Sequence, residues 1–248
     1  MPWTGWRTAG SVVWAEAAAY EFVEDRAALL DRARAVAWAE RIYLQIGVVE
    51  LLPRETSPGV EIRAVLIDPL GEVRWDYLKA TTPLGDGNVP GPGVLPIVDT
   101  PYGRLSTVIC FDAAFPGMIR QAGRAGVDIL LVPSSDWEQV TDALAQQAVL
   151  RAVENGVSVV RPARSGPSIA VDYHGRVLGR DAGWFTGDPR TTEQTMTVSA
   201  PVSGVRTPYA RFTGDALGWL SVAGLLVSAA MVVGRRRRAG RPPTPVAD

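Results

Sequence analysis

The sequence predicts an α/β fold, and three features of its 248 residues support this prediction. Short runs of β-branched and apolar residues alternate with longer segments in which apolar residues recur at helical spacing. Turns containing Gly separate some neighbouring strand-like runs, which indicates hairpins among the strands. Hydrophobic residues make up 47% and charged residues 21% of the chain, an ordinary globular composition that suffices for one sizeable domain. These features argue against an all-β fold or a helical bundle.

In the first half of the chain we predict four strands and one long helix. In chain order, these elements are a strand at 11–16, a helix at 20–41, and strands at 41–52, 60–68 and 73–79. The first strand ends in the carboxylate of Glu16, and the last ends in the amine of Lys79. A loop rich in Gly and Pro follows at 81–93.

The second half continues the alternation of strands and helices. Its predicted elements are a strand at 105–109, a helix at 118–125 opened by Pro116, a strand at 127–133, a helix at 142–154 stopped by Asn155 and Gly156, and strands at 157–161, 168–172 and 176–179. Cys110 therefore follows a buried strand at the point where the chain turns toward a helix.

The composition argues against several classes of function. A formal net charge of −1 gives no general signal for nucleic-acid binding, so we expect no nucleic-acid partner. The single cysteine allows no intramolecular disulfide, and neither a Cys/His cluster with metal-ligand spacing nor a Gly-rich phosphate loop occurs. We therefore expect no metal and no cofactor. Residues 1–10 lack the basic start and apolar core of a signal peptide.

Cys110 is a candidate nucleophile, although a free cysteine is often only a small buried apolar residue. At a helix terminus the partial positive charge would lower the pKa of the thiol and favour the thiolate. The only histidine, His174, lies in Asp-Tyr-His-Gly-Arg, a pattern typical of an exposed hairpin turn. We therefore expect the base that activates Cys110 to be another residue.

Glu16 and Lys79 complete a chemically sufficient set with Cys110, although a solvated surface position is the default interpretation of each alone. Glu16 would take the thiol proton and later activate the second nucleophile. Lys79 and the backbone N–H of Phe111 would stabilise the oxyanion of the tetrahedral intermediate. The three residues occur in the order Glu, Lys, Cys, each at a strand end. Together they are stronger evidence for a catalytic set than any one of them alone.

The residues around these three positions resemble the nitrilase (carbon–nitrogen hydrolase) superfamily, whose triad is Glu–Lys–Cys. Trp14-Ala15-Glu16 resembles the family's Trp-Pro-Glu, Tyr77-Leu78-Lys79 its Tyr-x-Lys, and Ile109-Cys110-Phe111-Asp112 its Ile-Cys-Tyr-Glu/Asp. The resemblance runs from about Val12 to Val205. It implies a four-layer α-β-β-α sandwich, with Phe111 and Asp112 assisting the triad.

Within the superfamily, the chain looks most like the catalytic domain of the apolipoprotein N-acyltransferases. Pro83-Leu84-Gly85-Asp86 resembles that branch's Pro-Phe-Gly-Glu, which implies that Asp86 assists catalysis. Ser135 and Trp137 follow the strand 127–133, and loops after such strands often line sites in α/β sheets. We expect both residues in the substrate pocket, with a half-buried aromatic as the alternative for Trp137.

The resembled fold begins with a strand and a helix that have no counterpart before Glu16. The sandwich is therefore expected to lack its first strand and helix, which would expose apolar surface and unpaired backbone groups. A truncated or split chain, or a partner chain that completes the fold, would explain this. The interval from Lys79 to Cys110 also leaves room only for a compact loop where the acyltransferases carry lipid-facing arms.

Residues 216–234 carry no charge and are followed by Arg235–Arg238. At about 1.5 Å per residue, this run would reach roughly the thickness of the hydrocarbon core of a membrane. We expect a catalytic domain over 1–212, a transmembrane helix over 213–234 and a cytoplasmic tail over 235–248. The positive-inside rule then places the catalytic domain on the outer face of the cell membrane. A buried core helix and an arginine run that binds nucleic acid are the alternatives.

Three functions stay open on these grounds. The first is acyl transfer through a cysteine thioester, with phospholipid as donor and the N-terminal amine of a lipoprotein as acceptor. The second is hydrolysis of a small amide by the same thioester chemistry. The third is a catalytically silent domain that serves as a partner subunit.

Overall fold

The computed structural model describes residues 10–53, 59–82, 87–181, 195–212 and 216–239. The chain divides into two units, Met1–Arg211 and Phe212–Asp248. Two β-sheets form the centre of the first unit. The first sheet contains β1 (Ser11–Val13), β2 (Ala19–Phe22), β3 (Tyr43–Leu51), β4 (Val60–Ile67) and β5 (Val73–Leu78).

The edge of the first sheet is interrupted, and this interruption matters for the site. β1 pairs in parallel with the start of β3, where Val13 lies opposite Gln45. β2 pairs in parallel with the end of β3, where Ala19 lies opposite Val48. β1 and β2 are therefore two pieces of one edge strand, and residues 14–18 loop out between them. β4 and β5 continue the sheet on the other side of β3 as antiparallel strands.

The second sheet has six strands in the order β11-β10-β9-β8-β7-β6. Its strands are β6 (Ile97–Thr100), β7 (Gly103–Thr107), β8 (Ile129–Leu131), β9 (Ser158–Arg161), β10 (Ile169–Val171) and β11 (Val177–Arg180). The three central strands, β7, β8 and β9, are parallel, and the flanking pairs are antiparallel. Because the central strands run in one direction, the residues that follow them meet at one end of the sheet.

Helices cover the outer faces of the two sheets. They are α1 (Arg26–Glu40) on the first sheet, and α2 (Pro116–Ala125), α3 (Thr141–Asn155) and the short α4 (Pro208–Arg211) beside the second sheet. One apolar cluster lies between α1 and the first sheet, a second joins the two sheets, and a third lies between the second sheet and α2 and α3. These three apolar layers separate four layers of secondary structure, helix–sheet–sheet–helix. The α/β prediction is therefore confirmed.

Two local features differ from the sequence-based expectation. The predicted helix 20–41 begins with β2 and a 3₁₀ turn (Val23–Asp25), and only then continues as α1. The backbone of β2 bonds to β3, and this pairing overrides the helical spacing of the apolar residues. β6 occupies a stretch for which the sequence predicts no element, because four residues at a sheet edge carry little periodicity.

The predicted transmembrane helix is wrong. The second unit contains α5 (Ala216–Ala239), which runs on through the four arginines instead of ending at Gly234. Among the residues that the structure describes, no helix is both long enough and apolar enough to cross a membrane. α5 includes the four arginines 235–238, and charged residues are costly in the hydrocarbon core of a membrane. The membrane location derived from this helix, with an outer catalytic domain and a cytoplasmic tail, is corrected with it.

Candidate active site

Glu16 enters the interior from the loop between β1 and β2. Gly47 of β3 makes this path possible, because a Cβ atom there would lie 2.1 Å from the carbonyl oxygen of Ala15. Ala17 then turns the chain with φ of 56°, an uncommon backbone conformation for a residue with a Cβ atom. The side chain of Glu16 is only 4% exposed as a result. The interrupted edge strand thus delivers a carboxylate to the space between the sheets.

Lys79 follows directly after β5. Its N–H donates to the carbonyl of Ile62 at 2.8 Å, and its carbonyl accepts the N–H of Gly91 at 2.8 Å. The backbone is therefore fixed on both sides, and the side chain is 2% exposed. Nζ lies 2.8 Å from Oε1 of Glu16 and forms a buried ion pair with it. It is the only lysine in the sequence, a signal that would have marked it independently of any motif.

Cys110 lies on a sharp turn after β7. Ile109 is still extended, but Cys110 has φ of 47° and begins the 3₁₀ helix Cys110–Ala114. The N–H of Cys110 donates to the carbonyl of Pro133 at 2.9 Å, which anchors the turn to the end of β8. A non-glycine residue with positive φ persists only where the surrounding structure imposes it, and such residues cluster at functional sites.

The backbone of Ser135 connects the carboxylate and the thiol. Its N–H donates to Oε2 of Glu16 at 2.9 Å, and its carbonyl oxygen lies 3.8 Å from Sγ of Cys110, which donates to it. The structure therefore brings Glu16, Lys79, Cys110 and Ser135 together from four separate strand ends. Ser135 reaches the cluster through its main chain, whereas the sequence suggested only a pocket-lining side chain.

The electrostatics of the cluster favour the neutral thiol. Burial and, next to it, the negative charge of Glu16 raise the pKa of Cys110 to about 12, against the opposing influence of the Lys79 and Arg161 charges. The expected lowering of the Cys110 pKa is therefore wrong, because burial and the carboxylate raise the pKa of the thiol more than the nearby positive charges lower it. Burial also raises the pKa of Glu16, although Lys79 and hydrogen bonds from Cys110 and Ser135 oppose this. A thiol beside a carboxylate of raised pKa suits proton transfer during attack.

Asp112 joins the cysteine turn to the strand end that carries Lys79. Its Oδ2 accepts the hydroxyl of Tyr77 at 2.8 Å and the N–H of Ile109 at 3.1 Å. Its Oδ1 accepts the N–H and the hydroxyl of Thr81 at 2.8 Å and 2.7 Å. Burial and the Asp112 charge raise the pKa of Tyr77, which keeps its hydroxyl a donor. Asp112 is fully buried and is placed to position the two neighbouring segments.

The remaining predicted site residues have different outcomes. Asp86 lies outside the described residues. The ring of Phe111 packs edge-on against Phe115, with 5.5 Å between ring centroids. The backbone N–H of Phe111 belongs to the peptide bond that joins it to Cys110. Trp137 is 59% exposed, and its place in a substrate pocket stays a prediction.

His174 lies in a turn, as predicted, where Asp172 accepts the N–H groups of His174 and Arg176. Within the described part of the chain, no group of three or more His, Cys, Asp or Glu residues is arranged to hold a metal ion.

A buried ion pair beside the cluster was not predicted. Nη2 of Arg161, the last residue of β9, donates to Oδ1 of Asp136, whose Oδ2 accepts the hydroxyl of Thr141 at 3.0 Å. Asp136 directly follows Ser135, and β8 and β9 are parallel neighbours. Charged residues at or just after the ends of two neighbouring parallel strands meet at the same end of the sheet. The positions of Asp136 and Arg161 relative to the predicted strands could therefore have indicated the pair.

The sequence of this chain is similar to those of two kinds of curated protein. An apolipoprotein N-acyltransferase from Geobacter metallireducens is 28% identical over 91% of this chain and 46% of its own length. A deaminated glutathione amidase from Yersinia enterocolitica is 26% identical over 56% of this chain and 57% of its own length. The chain thus spans about half the length of the curated relatives it matches.

One structurally similar protein is a mutant of the amidase from Nesterenkonia sp. AN1, solved in complex with butyramide. It is 26% identical, with a TM-score of 0.57 over 64% of this chain and 65% of that chain. A second mutant of that amidase, in which a glutamate is replaced by leucine, is 27% identical with a TM-score of 0.57 over 64% of each chain; it carries the acetamide moiety of fluoroacetamide covalently added at its active-site cysteine. The family model for the carbon–nitrogen hydrolases matches residues 4–206 of the 248. The chain therefore belongs to the carbon–nitrogen hydrolase family.

Proposed function

We propose that this chain transfers acyl groups through a thioester at Cys110, and that hydrolysis of small amides is the reaction its site supports best. The observation that carries the proposal is the buried cluster in which Lys79 contacts Glu16 and the main chain of Ser135 links Glu16 to the Cys110 thiol. The carboxylate of Glu16 thereby lies within hydrogen-bonding reach of both the Lys79 ammonium and the Cys110 thiol.

The first half of the reaction forms the thioester. Sγ of Cys110 attacks the amide carbonyl carbon while Glu16 accepts the thiol proton. The oxyanion of the tetrahedral intermediate is stabilised by the Lys79 ammonium and the N–H of Phe111. The C–N bond then breaks, Glu16 returns the proton to the leaving amine, and the acyl group stays on sulfur.

The second half releases the acyl group. Water attacks the thioester carbonyl carbon as Glu16 accepts one of its protons, and the same two donors stabilise the second oxyanion. The C–S bond breaks, the proton returns to the sulfur, and the carboxylic acid leaves. If an amine takes the place of water, the product is a new amide.

That exchange of acceptor defines the second candidate function, acyl transfer from a phospholipid to the N-terminal amine of a lipoprotein. The match to an apolipoprotein N-acyltransferase over 91% of this chain favours it. The compact segment between Lys79 and Cys110 favours a small substrate. Both candidates share the thioester and differ in donor and acceptor.

Turnover assays separate the two candidates. The purified chain is incubated with short aliphatic amides, with ammonia and carboxylic acid measured, and in parallel with phospholipid vesicles and a peptide that has a free N-terminal amine. Hydrolysis of the amides that is lost in Cys110→Ser supports the amidase proposal. Acylated peptide without amide hydrolysis supports the second candidate. Equal activity in Cys110→Ser would refute the thioester in either reaction.

A further inference from the structure

A small cavity extends from Cys110 into the layer between α3 and the second sheet. Its volume is about 10 Å³, roughly the room of one water molecule. Apolar side chains of β8, β9 and α3 form most of its wall, and three polar residues, Gln147, Arg151 and Arg161, complete it. The reaction described above uses none of these three side chains.

Two of these side chains present N–H groups that have no hydrogen-bond acceptor within the described ranges. Arg161 gives Nη2 to Asp136, but its Nη1 is buried without a partner. Arg151 gives Nη1 to Glu154, and its Nε is likewise buried without a partner. The two residues are only 2% and 8% exposed. Buried donors of this kind carry a free-energy cost until an acceptor reaches them.

The charges around the cavity indicate the kind of acceptor. The guanidinium of Arg161 already has the carboxylate of Asp136, and that of Arg151 has the carboxylate of Glu154. A further anion would therefore enter a site whose two cations are already balanced, whereas a neutral oxygen could accept a hydrogen bond from a buried N–H without adding charge. A hydrocarbon group would leave both donors unsatisfied.

We propose that this cavity is a subsite for a neutral acceptor oxygen on the acyl group, so that preferred substrates carry a hydroxyl or keto oxygen close to the reacting carbonyl. This inference rests on the proposed function, because it assigns the cavity beside Cys110 to the acyl group of the thioester. Hydroxy- and keto-acyl amides are therefore the expected substrate class. A purely hydrocarbon acyl chain, such as that of a phospholipid, lacks the required acceptor.

The test uses pairs of amides that differ only by a hydroxyl in place of a methyl group. Glycolamide is compared with propionamide, and 3-hydroxypropanamide with butyramide, by their kcat/KM values. At least one hydroxylated member is expected to exceed its partner tenfold or more. In Arg151→Met that ratio is expected to fall below about threefold. Arg180→Met is the matched control, since Arg180 is 45% exposed and pairs with an exposed Asp142, and it should keep the wild-type ratio.

Arg161→Met leaves Asp136 buried without its cation and can therefore fail to fold, so the test relies on Arg151. A second readout does not require turnover: protection of Cys110 from iodoacetamide by each amide. Preferential protection by a hydroxylated amide, lost in Arg151→Met, supports the inference even if no amide is hydrolysed and the proposed function fails. Measurable hydrolysis with equal kcat/KM values and equal protection within both pairs would overturn the inference and leave the proposed function intact.

Discussion

Replacing Glu16 by glutamine should change two reactions of Cys110 in opposite directions. The pKa of the thiol stands at about 12 instead of an ordinary 9.0, and the negative charge of Glu16 is one of the two causes that raise it. That difference corresponds to about a thousandfold lower thiolate fraction at pH 8. The substituted amide would keep the shape of the side chain but remove its charge, so the thiol pKa should fall.

Glu16→Gln removes only one of the two causes that raise the pKa of the Cys110 thiol. Burial is the larger cause and persists in Glu16→Gln, so only part of the thousandfold is recovered. We expect iodoacetamide, which reacts with the thiolate, to modify Cys110 about tenfold faster at pH 8. Amide turnover, which needs a proton acceptor, should fall by about 10²- to 10⁴-fold.

The assay is the rate of Cys110 alkylation between pH 7 and pH 10, followed by mass spectrometry. In the wild type the rate should rise throughout this range without reaching a plateau, because the pKa lies above it. The control is Glu21→Gln, which removes a buried carboxylate whose main charged neighbours are Glu50 and Arg26. Alkylation that is unchanged or slower in Glu16→Gln, in a folded protein, would refute the electrostatic account of the site.

Three further predictions test the elements that build the site. Gly47→Ala should destabilise the fold by about 2 kcal/mol or more, since its Cβ would meet the Ala15 carbonyl, whereas Gly117→Ala, with open space around it, should not destabilise it; thermal unfolding measures both. Asp112→Asn should cost about 2–3 kcal/mol in urea unfolding, because it replaces a carboxylate that accepts several buried donors. Lys79→Met should lower kcat by about 10²- to 10³-fold and also slow Cys110 alkylation, because the Lys79 charge lowers the pKa of the thiol. Circular dichroism checks that the variant folds with Glu16 buried without its cation, and unchanged kcat in a folded protein would exclude the oxyanion role of Lys79.

Much of the fold could be predicted because its central strands are strongly patterned. The predicted strands 41–52 and 60–68 correspond closely to β3 and β4, which are long and largely buried. β2 was missed because a four-residue edge strand is defined by its partner, and its apolar residues also suit a helix. The same limit applies to β6 at the edge of the second sheet.

The candidate site divides in the same way. Glu16, Lys79 and Cys110 could be singled out because each ends a recognisable strand, and the structure places them in one cluster. The role of the Ser135 main chain could not be predicted, since backbone contacts depend on how the strand ends converge. Whether the pKa of Cys110 is raised or lowered depends on the burial of the thiol and on its distance from Glu16. Neither quantity can be read from the sequence.

The helix prediction for 213–234 shows a different limit. An uncharged run predicts a membrane span only if the helix built from it is both long enough and apolar enough, and no helix among the described residues, α5 included, meets that condition. The arginines that were expected to follow the helix are part of it.

The central claim is that Cys110 carries the acyl group, and intact-mass spectrometry tests it most directly. The chain is mixed with a short amide or with phospholipid, quenched in acid within seconds and weighed, with Cys110→Ala as the control. A mass increase equal to the acyl group, removed by hydroxylamine and absent from Cys110→Ala, is the predicted result. An acyl adduct of equal yield in Cys110→Ala would contradict the claim, as would turnover by the wild type without any adduct under conditions where acyl release is rate-limiting.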